Sequence, residues 1–381
     1  MKQIKLIASL IILLIGCLSC TKGQNEEPQP TPKRTLLVYM IANNSLDDYS
    51  YQDIDEMISG ITEENLNGGN LIILHAPRNT EPELLQIKEK NGITNKFHIK
   101  DYIGLNPINP SEMRQVIQDV VSLYPAESYG LILWSHGTAW LPTDYQKITK
   151  AFGQNGSKWM EIDELAQGLP DNLFEFILFD ACYMANVECV YELRHKANYI
   201  LASATEILGE GYPYTQMLPQ MFEDNLHLDL IGKTFYDYYN QKSGDYQTAT
   251  ISLTRTSDLD NLADIVREIL ADKTENDLYS VNLSQMQRLE FLPNSPGMLY
   301  DFQDFIRQLA TEEQFTRFTQ VLNQVILYEA HTSKAYFAYL NYSYPINQCS
   351  GLNIYVPQKK LTKIFDWYKN RISWYKAVYP Q

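Results

Sequence analysis

The histidines and cysteines of this chain form no metal-ligand pattern. Six histidines and five cysteines are scattered over 381 residues, without zinc spacing and without a His-Glu-x-x-His run, which excludes the common zinc hydrolase and zinc finger designs. No EF-hand loop pattern is present either. Basic residues are scarce: 31 Lys and Arg against 46 Asp and Glu give a formal charge of −15. That balance argues against a nucleic-acid partner and is compatible with cationic substrates. No internal repeat is evident. The main apolar run, Leu6 to Ile15, is too short and wrongly flanked to cross a bilayer. Beyond the first twenty residues only Cys182, Cys189 and Cys349 remain. An odd number of cysteines in an exported chain is no disulfide framework and leaves at least one free thiol.

What is there begins with a leader. Lys2 and Lys5 precede the apolar run, and Leu14-Ile15-Gly16-Cys17 matches a bacterial lipoprotein cleavage signal, with Cys17 as the lipid-bearing residue and Cys20 as a second candidate. Residues 1–16 are expected to leave as signal peptide. Residues 17–34, rich in proline and polar side chains and poor in apolar ones beyond the signal, read as a lipid-anchored flexible tether. The expected place is the cell envelope, on the periplasmic or outer surface face.

From Thr35 on, buried strands alternate with helices. Thr35–Ala42, Asn70–His75, Gly130–Ser135, Phe174–Phe179 and Tyr199–Ser203 are short continuous apolar runs, as expected of strands covered on both faces. Asn91-Gly92 signals a hairpin within 83–102, and helices are expected at 46–61, from Ser111 to about Tyr124, at 163–168 and at 183–193. Residues 138–160 read as an exposed loop. The pattern predicts an α/β fold with a mostly parallel sheet, a catalytic domain over 35–220 and a C-terminal subdomain over 221–381. Thr248–Leu253 and Gly351–Val356 are expected to extend the sheet.

In a parallel sheet, ligands sit beyond the carboxyl ends of the strands. His136 and Cys182 each follow a buried strand and so fall at one edge, where an imidazole and a thiol can perform nucleophilic catalysis. A helix beginning at Tyr183 would lower the Cys182 pKa. The N–H groups of Gly137 and Cys182 are candidate oxyanion donors. Asp180 lies on the same side of its strand as Cys182. Ser203, Glu206 and Glu210 fall at or after another strand end. Cys189 and Cys349 read as core residues; Cys189 lies two helical turns from Cys182, too far for a bond.

Trp134-Ser135-His136-Gly137 and Asp180-Ala181-Cys182-Tyr183-Met184-Ala185 resemble the His-Gly and Asp-Ala-Cys blocks of the clostripain family, in the clan of caspases, gingipains and legumains. Tyr39 to Leu46, Ala202 to Glu206 and Gly211 to Tyr214 resemble further blocks in the same order, and Ser350 to Pro357 matches loosely. The resemblance implies a caspase-like fold and a Cys–His dyad, with His136 as base, Cys182 as nucleophile and no required third member. It implies cleavage after Arg or Lys, with Asp180 at the pocket floor and Ser203, Glu206 and Glu210 as further substrate-binding candidates, and self-cleavage between His136 and Cys182, where Lys147, Lys150 and Lys158 stand and Lys150-Ala151 is the expected bond. No cofactor is expected; calcium, which some members use, finds no support in the sequence. The expected partners are peptides or proteins with Arg or Lys at the cleaved position, and a membrane held through the N-terminal lipid. The body is expected to be a monomer. Two other readings use the same residues: a catalytically silent surface-binding lipoprotein, and a thiol amidase acting on cell-wall peptides.

Overall fold

The structure, a computed structural model, describes residues 31–141, 152–291 and 296–379. The signal peptide, Cys17, Cys20, Lys147, Lys150 and Ala151 lie outside the described residues. The chain from Pro32 on is one compact unit.

The described strands, in chain order, are β1 (Arg34–Ile41), β2 (Asn70–Ala76), β3 (Glu83–Lys90), β4 (Ile93–Asp101), β5 (Ser128–Trp134), β6 (Phe152–Asn155), β7 (Lys158–Met160), β8 (Phe174–Asp180), β9 (Ala197–Ala202), β10 (Thr250–Arg255), β11 (Leu299–Asp301), β12 (Ile326–His331), β13 (Lys334–Phe337), β14 (Tyr342–Pro345) and β15 (Asn353–Tyr355). Nine of them form one sheet in the order β12-β10-β9-β8-β5-β1-β2-β3-β4. Its centre is parallel: β9, β8, β5, β1 and β2 run the same way. Both margins are antiparallel, through β3 and β4 on one side and β10 and β12 on the other.

The central strands carry apolar residues on both faces because both faces are covered. Successive side chains point to opposite faces. Tyr39, Leu131, Leu133, Ile177 and Phe179 therefore enter one core and Val38, Met40, Ile132, Trp134 and Leu178 the other. The second core is closed by helices Asp47–Gly60, Tyr214–Met221 and Leu228–Asn240. Trp134 and Asp180, last residues of β5 and β8 and in register, are thereby aimed toward that layer.

Four expectations are corrected. Gly351–Val356 does not extend the main sheet: β15 pairs with β11 in a two-stranded sheet, and β12 takes the edge instead. Helix Pro110–Leu123 is capped by Asn109, whose side chain accepts from Ser111 and Glu112 N–H, so Ser111 is already helical. Residues 138–141 are buried, with Trp140 stacked between Trp367 and Tyr368, and β6 and β7 form a hairpin, so 138–160 is not one exposed loop. The helix expected from Tyr183 begins only at Val187 and is six residues long. Thr248–Leu253 does extend the main sheet: β10 covers most of it and pairs directly with β9.

Candidate active site

Adjacent parallel strands bring the two reactive side chains together. Trp134 pairs with Asp180, and Ser135 N–H donates to Asp180 O at 3.2 Å just past the strand ends. His136 and Cys182 leave the sheet immediately afterwards and line one cavity of about 260 Å³, with Ser45, Tyr49, Asp180 and Glu206 among its other walls. A larger recess of about 430 Å³ beside Asn106 and Trp159 holds no cysteine or histidine, so volume does not select the reactive site.

The thiol is held in its neutral form. Cys182 Sγ–H donates to Ile207 O at 3.6 Å, and Ile207 N–H donates back to Sγ at 3.3 Å. Burial pushes the thiol well above its ordinary pKa, and the carboxyl of Glu206 and then that of Asp180 add to the rise against the Ile207 N–H. The helix expected to stabilise a thiolate starts five residues after Cys182, and its N-terminus is capped internally by Asn186, which accepts from Cys189 N–H. The turn between is tight: Tyr183 has φ +64°, with its N–H bonded to Thr205 O. A neutral thiol beside an imidazole requires the imidazole to take the proton during attack.

Gly137 packs against the same turn. A Cβ there would lie 2.7 Å from Cys182 O, so only glycine fits. Gly137 faces Phe152 across an isolated antiparallel bridge, and Gly153 N–H donates to His136 O at 3.0 Å. Among the described residues neither the Gly137 nor the Cys182 N–H donates a backbone hydrogen bond. Amides beside a thiol are the elements of an oxyanion hole, although the Cys182 N–H also bonds its own sulfur.

Beside His136 and Cys182 lies a buried acidic group. Asp180 is 6% exposed, and its Oδ2 accepts from Tyr214 O–H at 2.8 Å and Tyr212 N–H at 3.4 Å. Asp53, on helix Asp47–Gly60, is 2% exposed and accepts from Trp134 Nε1–H at 2.6 Å. Glu56, one turn on, accepts from Tyr214 N–H at 3.1 Å. Burial pushes both aspartates up, Asp180 to about 7 and Asp53 to about 9, with their mutual repulsion adding at Asp53. Among the described residues no Lys, Arg or His forms an ion pair with Asp53, Asp180 or Glu206. Buried carboxyls without a counter-charge are costly, and a cation entering the cavity would relieve that cost.

The other candidates separate. Glu206 lines the cavity, accepts from Ala338 N–H at 3.3 Å and is raised to about 8 by burial. Glu210 is exposed and lies outside the cavity lining. Ser203 is corrected from a substrate contact to a structural one: it is fully buried, and its Oγ joins a hydroxyl cluster with Thr250 Oγ1 at 2.8 Å. Cys189 is buried, and Cys349 is half-buried against the core. Among the described residues the cluster with metal-ligand spacing is Glu83, His98 and Asp101, none of which lines the cavity.

Asp53, Ser45 and Ile207 escape a reading of the sequence. Asp53 left a signal, since Ser50, Asp53, Ile54 and Met57 form the buried stripe of their helix and an acid on such a stripe is unusual. Ser45 bonds His136 Nε2 at 2.8 Å, and Ile207 covers the thiol; both depend on loop placement and left no signal.

The chain matches the model of the clostripain family over residues 38–379. It is similar to an inactive zymogen C11 protease from Parabacteroides distasonis, at 40% identity and TM-score 0.85, covering 92% of this chain and 99% of that one. It is similar to a secreted C11 cysteine protease from Bacteroides thetaiotaomicron solved with an irreversible peptide inhibitor, at 27% identity and TM-score 0.80, covering 91% and 99%. A clostripain from Bacteroides thetaiotaomicron in complex with the peptide inhibitor BTN-VLTK-AOMK is similar over 60% of this chain and 99% of that one, at 29% identity and TM-score 0.51. No curated protein matches the sequence.

Proposed function

The chain belongs to the clostripain family of cysteine peptidases, and from that premise we propose that it is an endopeptidase cutting after Arg or Lys through His136 and Cys182. The observation that carries this reading is the cavity itself: imidazole, thiol and a buried, uncountered Asp180 share its walls. The peptide letters of the inhibitor bound to the similar clostripain end in lysine, which supports the basic preference.

His136 takes the Cys182 proton as sulfur attacks the scissile carbonyl, and the C=O electron pair moves to oxygen. The oxyanion is held by the Gly137 and Cys182 N–H groups. It collapses as the C–N bond breaks; the amine leaves with the proton from His136, and a thioester remains. Water then attacks the thioester, giving a proton to His136. The carboxylic acid leaves, and the thiolate recovers its proton. Every group in this sequence belongs to the chain or the substrate, and no cofactor is required.

Asp180 receives the basic side chain, with Asp53 and Glu56 near it and Glu206 also lining the cavity. Self-cleavage at Lys150-Ala151 is part of the proposal. The bond lies outside the described residues, but β6 begins at Phe152 and its Gly153 N–H reaches His136 O, which supports delivery of the loop to the dyad. Anchoring through lipid on Cys17, on the envelope surface, and a monomeric state complete it.

Fluorogenic peptides with Arg, Lys, Asp, Asn or Leu at the cleaved position test the reading. Turnover of Arg or Lys peptides, absent in Cys182→Ala, is expected. Asp180→Ala should lower kcat/KM on them about tenfold to a hundredfold, the size of a lost hydrogen bond to a charged group. Equal turnover of Leu and Arg peptides would sink the basic preference. Self-cleavage requires Cys182→Ala to stay full length on a denaturing gel while the parent is cut.

A further inference from the structure

We propose that Ser45 is a positioning residue for His136, fixing its orientation. The inference rests on the Cys182–His136 peptidase reading and adds to the dyad a member that the sequence resemblance did not require. Ser45 Oγ lies 2.8 Å from His136 Nε2. A neutral imidazole has one N–H. The Ser45 hydroxyl can donate to Nε2 or accept from Nε2–H; in the second case the basic lone pair of the neutral ring is on Nδ1. When the imidazolium forms during attack, its Nε2–H keeps an acceptor already in place.

An exposed serine hydroxyl ordinarily exchanges its partner with water, so its usefulness depends on how rigidly it is presented. The turn that carries it is clamped on several sides. Asn44 Nδ2–H donates to Ile41 O at 2.9 Å, to Gln154 O at 2.9 Å and toward Ser135 Oγ at 3.4 Å, while Asn44 Oδ1 accepts from Leu46 N–H at 2.8 Å. Arg78 donates to Asn44 O. Asn43 Nδ2–H donates to Asn155 Oδ1 at 2.7 Å, and Gly156 N–H donates to Asn43 O at 2.7 Å. Ser135, the neighbour of the histidine, joins the same network: its Oγ–H donates to Ile41 O at 2.8 Å and accepts from Gln154 N–H at 3.1 Å. Both ends of the Ser45–His136 contact are thus tied to one lattice built from the end of β1, the end of β5 and the hairpin β6–β7. Such a lattice removes in advance the orientational freedom that a general base would otherwise lose in the transition state.

The test uses the full chain, the parent and the variants Ser45→Ala, Ser45→Thr and Asn44→Ala, compared in the same state of processing on a gel. Two rates are read: kcat and KM on an Arg or Lys fluorogenic peptide, and the alkylation rate of Cys182 by iodoacetamide. Ser45→Ala is expected to lower kcat about tenfold, a fraction of the usual worth of a general base, with KM within about twofold. Alkylation should slow in parallel, and Ser45→Thr, which restores the hydroxyl, should recover most of both. Asn44→Ala should reproduce the Ser45→Ala pattern with the hydroxyl still present. A Ser45→Ala protein with parental kcat and alkylation overturns the inference, and so does a Thr variant as impaired as the Ala variant. If the parent hydrolyses no basic peptide, the substrate reading fails, while the alkylation comparison still decides the role of Ser45.

Discussion

In the proposed reaction Asp180 is a buried acid that must become an anion to hold a cation. Burial raises it from the ordinary carboxyl range to about 7. Its surroundings explain the direction: Asp53 and Glu56 face it from helix Asp47–Gly60, the hydroxyl of Tyr239 belongs to the same surroundings, and the Tyr212 N–H and Tyr214 O–H give only partial compensation. Below about pH 7 the group is protonated and offers an incoming Lys or Arg no charge; above it the carboxylate is present. We therefore expect kcat/KM on basic peptides to rise with pH through about 7, mainly through KM. Asp180→Asn should remove that limb of the profile. A limb that persists in Asp180→Asn belongs to another group. His136, Cys182 and Asp180 were legible in the sequence because strand-end position and alternation alone place them. The protonation state was not, because it depends on Asp53, which a separate helix brings in. The neutral Cys182 thiol escaped for the same reason: its surroundings are Ile207 and Glu206, twenty-four and more residues further along.

The segment from Ser203 to Tyr214 makes the site more than two strand ends. Ala185 N–H is bonded to Ser203 O and Tyr183 N–H to Thr205 O, which fixes the nucleophile's turn; Ile207 covers the thiol, and Gly209 lies against the Tyr49 ring. At Gly211 the backbone has φ +60°, and a Cβ would sit 2.7 Å from Asp180 Oδ2. Gly211→Ala is thus strained twice, by conformation and by contact with the pocket carboxylate. It should raise KM for Arg and Lys peptides by about tenfold or more, the effect of displacing one charge-assisted contact. Iodoacetamide labelling of Cys182 should change far less. Parallel losses in both would mean that the segment had left the thiol as well as the pocket. The sequence marks this stretch as a loop through its glycines and proline, but not which side chains it covers. The short helix at Val187–Glu192 shows the complementary error. Tyr183, Met184 and Ala185 suit a helix by composition, yet their backbone groups are spent on Thr205 and Ser203 and, at Ala185 O, on Asn353 N–H.

At the scale of the whole molecule, the strands that carry His136 and Cys182 and the C-terminal half share one sheet. The alternation of strands and helices made the parallel centre of the sheet legible. The antiparallel closure was only half legible, since β12 follows a polar helical stretch and carries no continuous apolar run. Three of the contacts across residue 220 bear on the site. β10 continues the sheet from β9. Thr250 Oγ1 accepts the Ala204 N–H at 3.0 Å and meets the Ser203 and Thr205 hydroxyls, anchoring the segment that covers Cys182. Phe235 stacks on Tyr212 at 4.3 Å between ring centroids, and Tyr239 O–H donates to Gly211 O at 2.6 Å, so helix Leu228–Asn240 supports the pocket from behind. Removing these elements would expose the β9 edge, an apolar face and several buried hydroxyls together, each unfavourable on its own. A chain stopped at residue 220 should therefore show no cooperative thermal transition and no Cys182-dependent turnover, whereas residues 32–381 should unfold in one transition by calorimetry. A 32–220 fragment that melts cooperatively and labels at Cys182 like the longer chain would establish the earlier boundary. The physical weight lies against it, because the hydroxyl cluster that fixes the nucleophile's turn draws its central oxygen from Thr250.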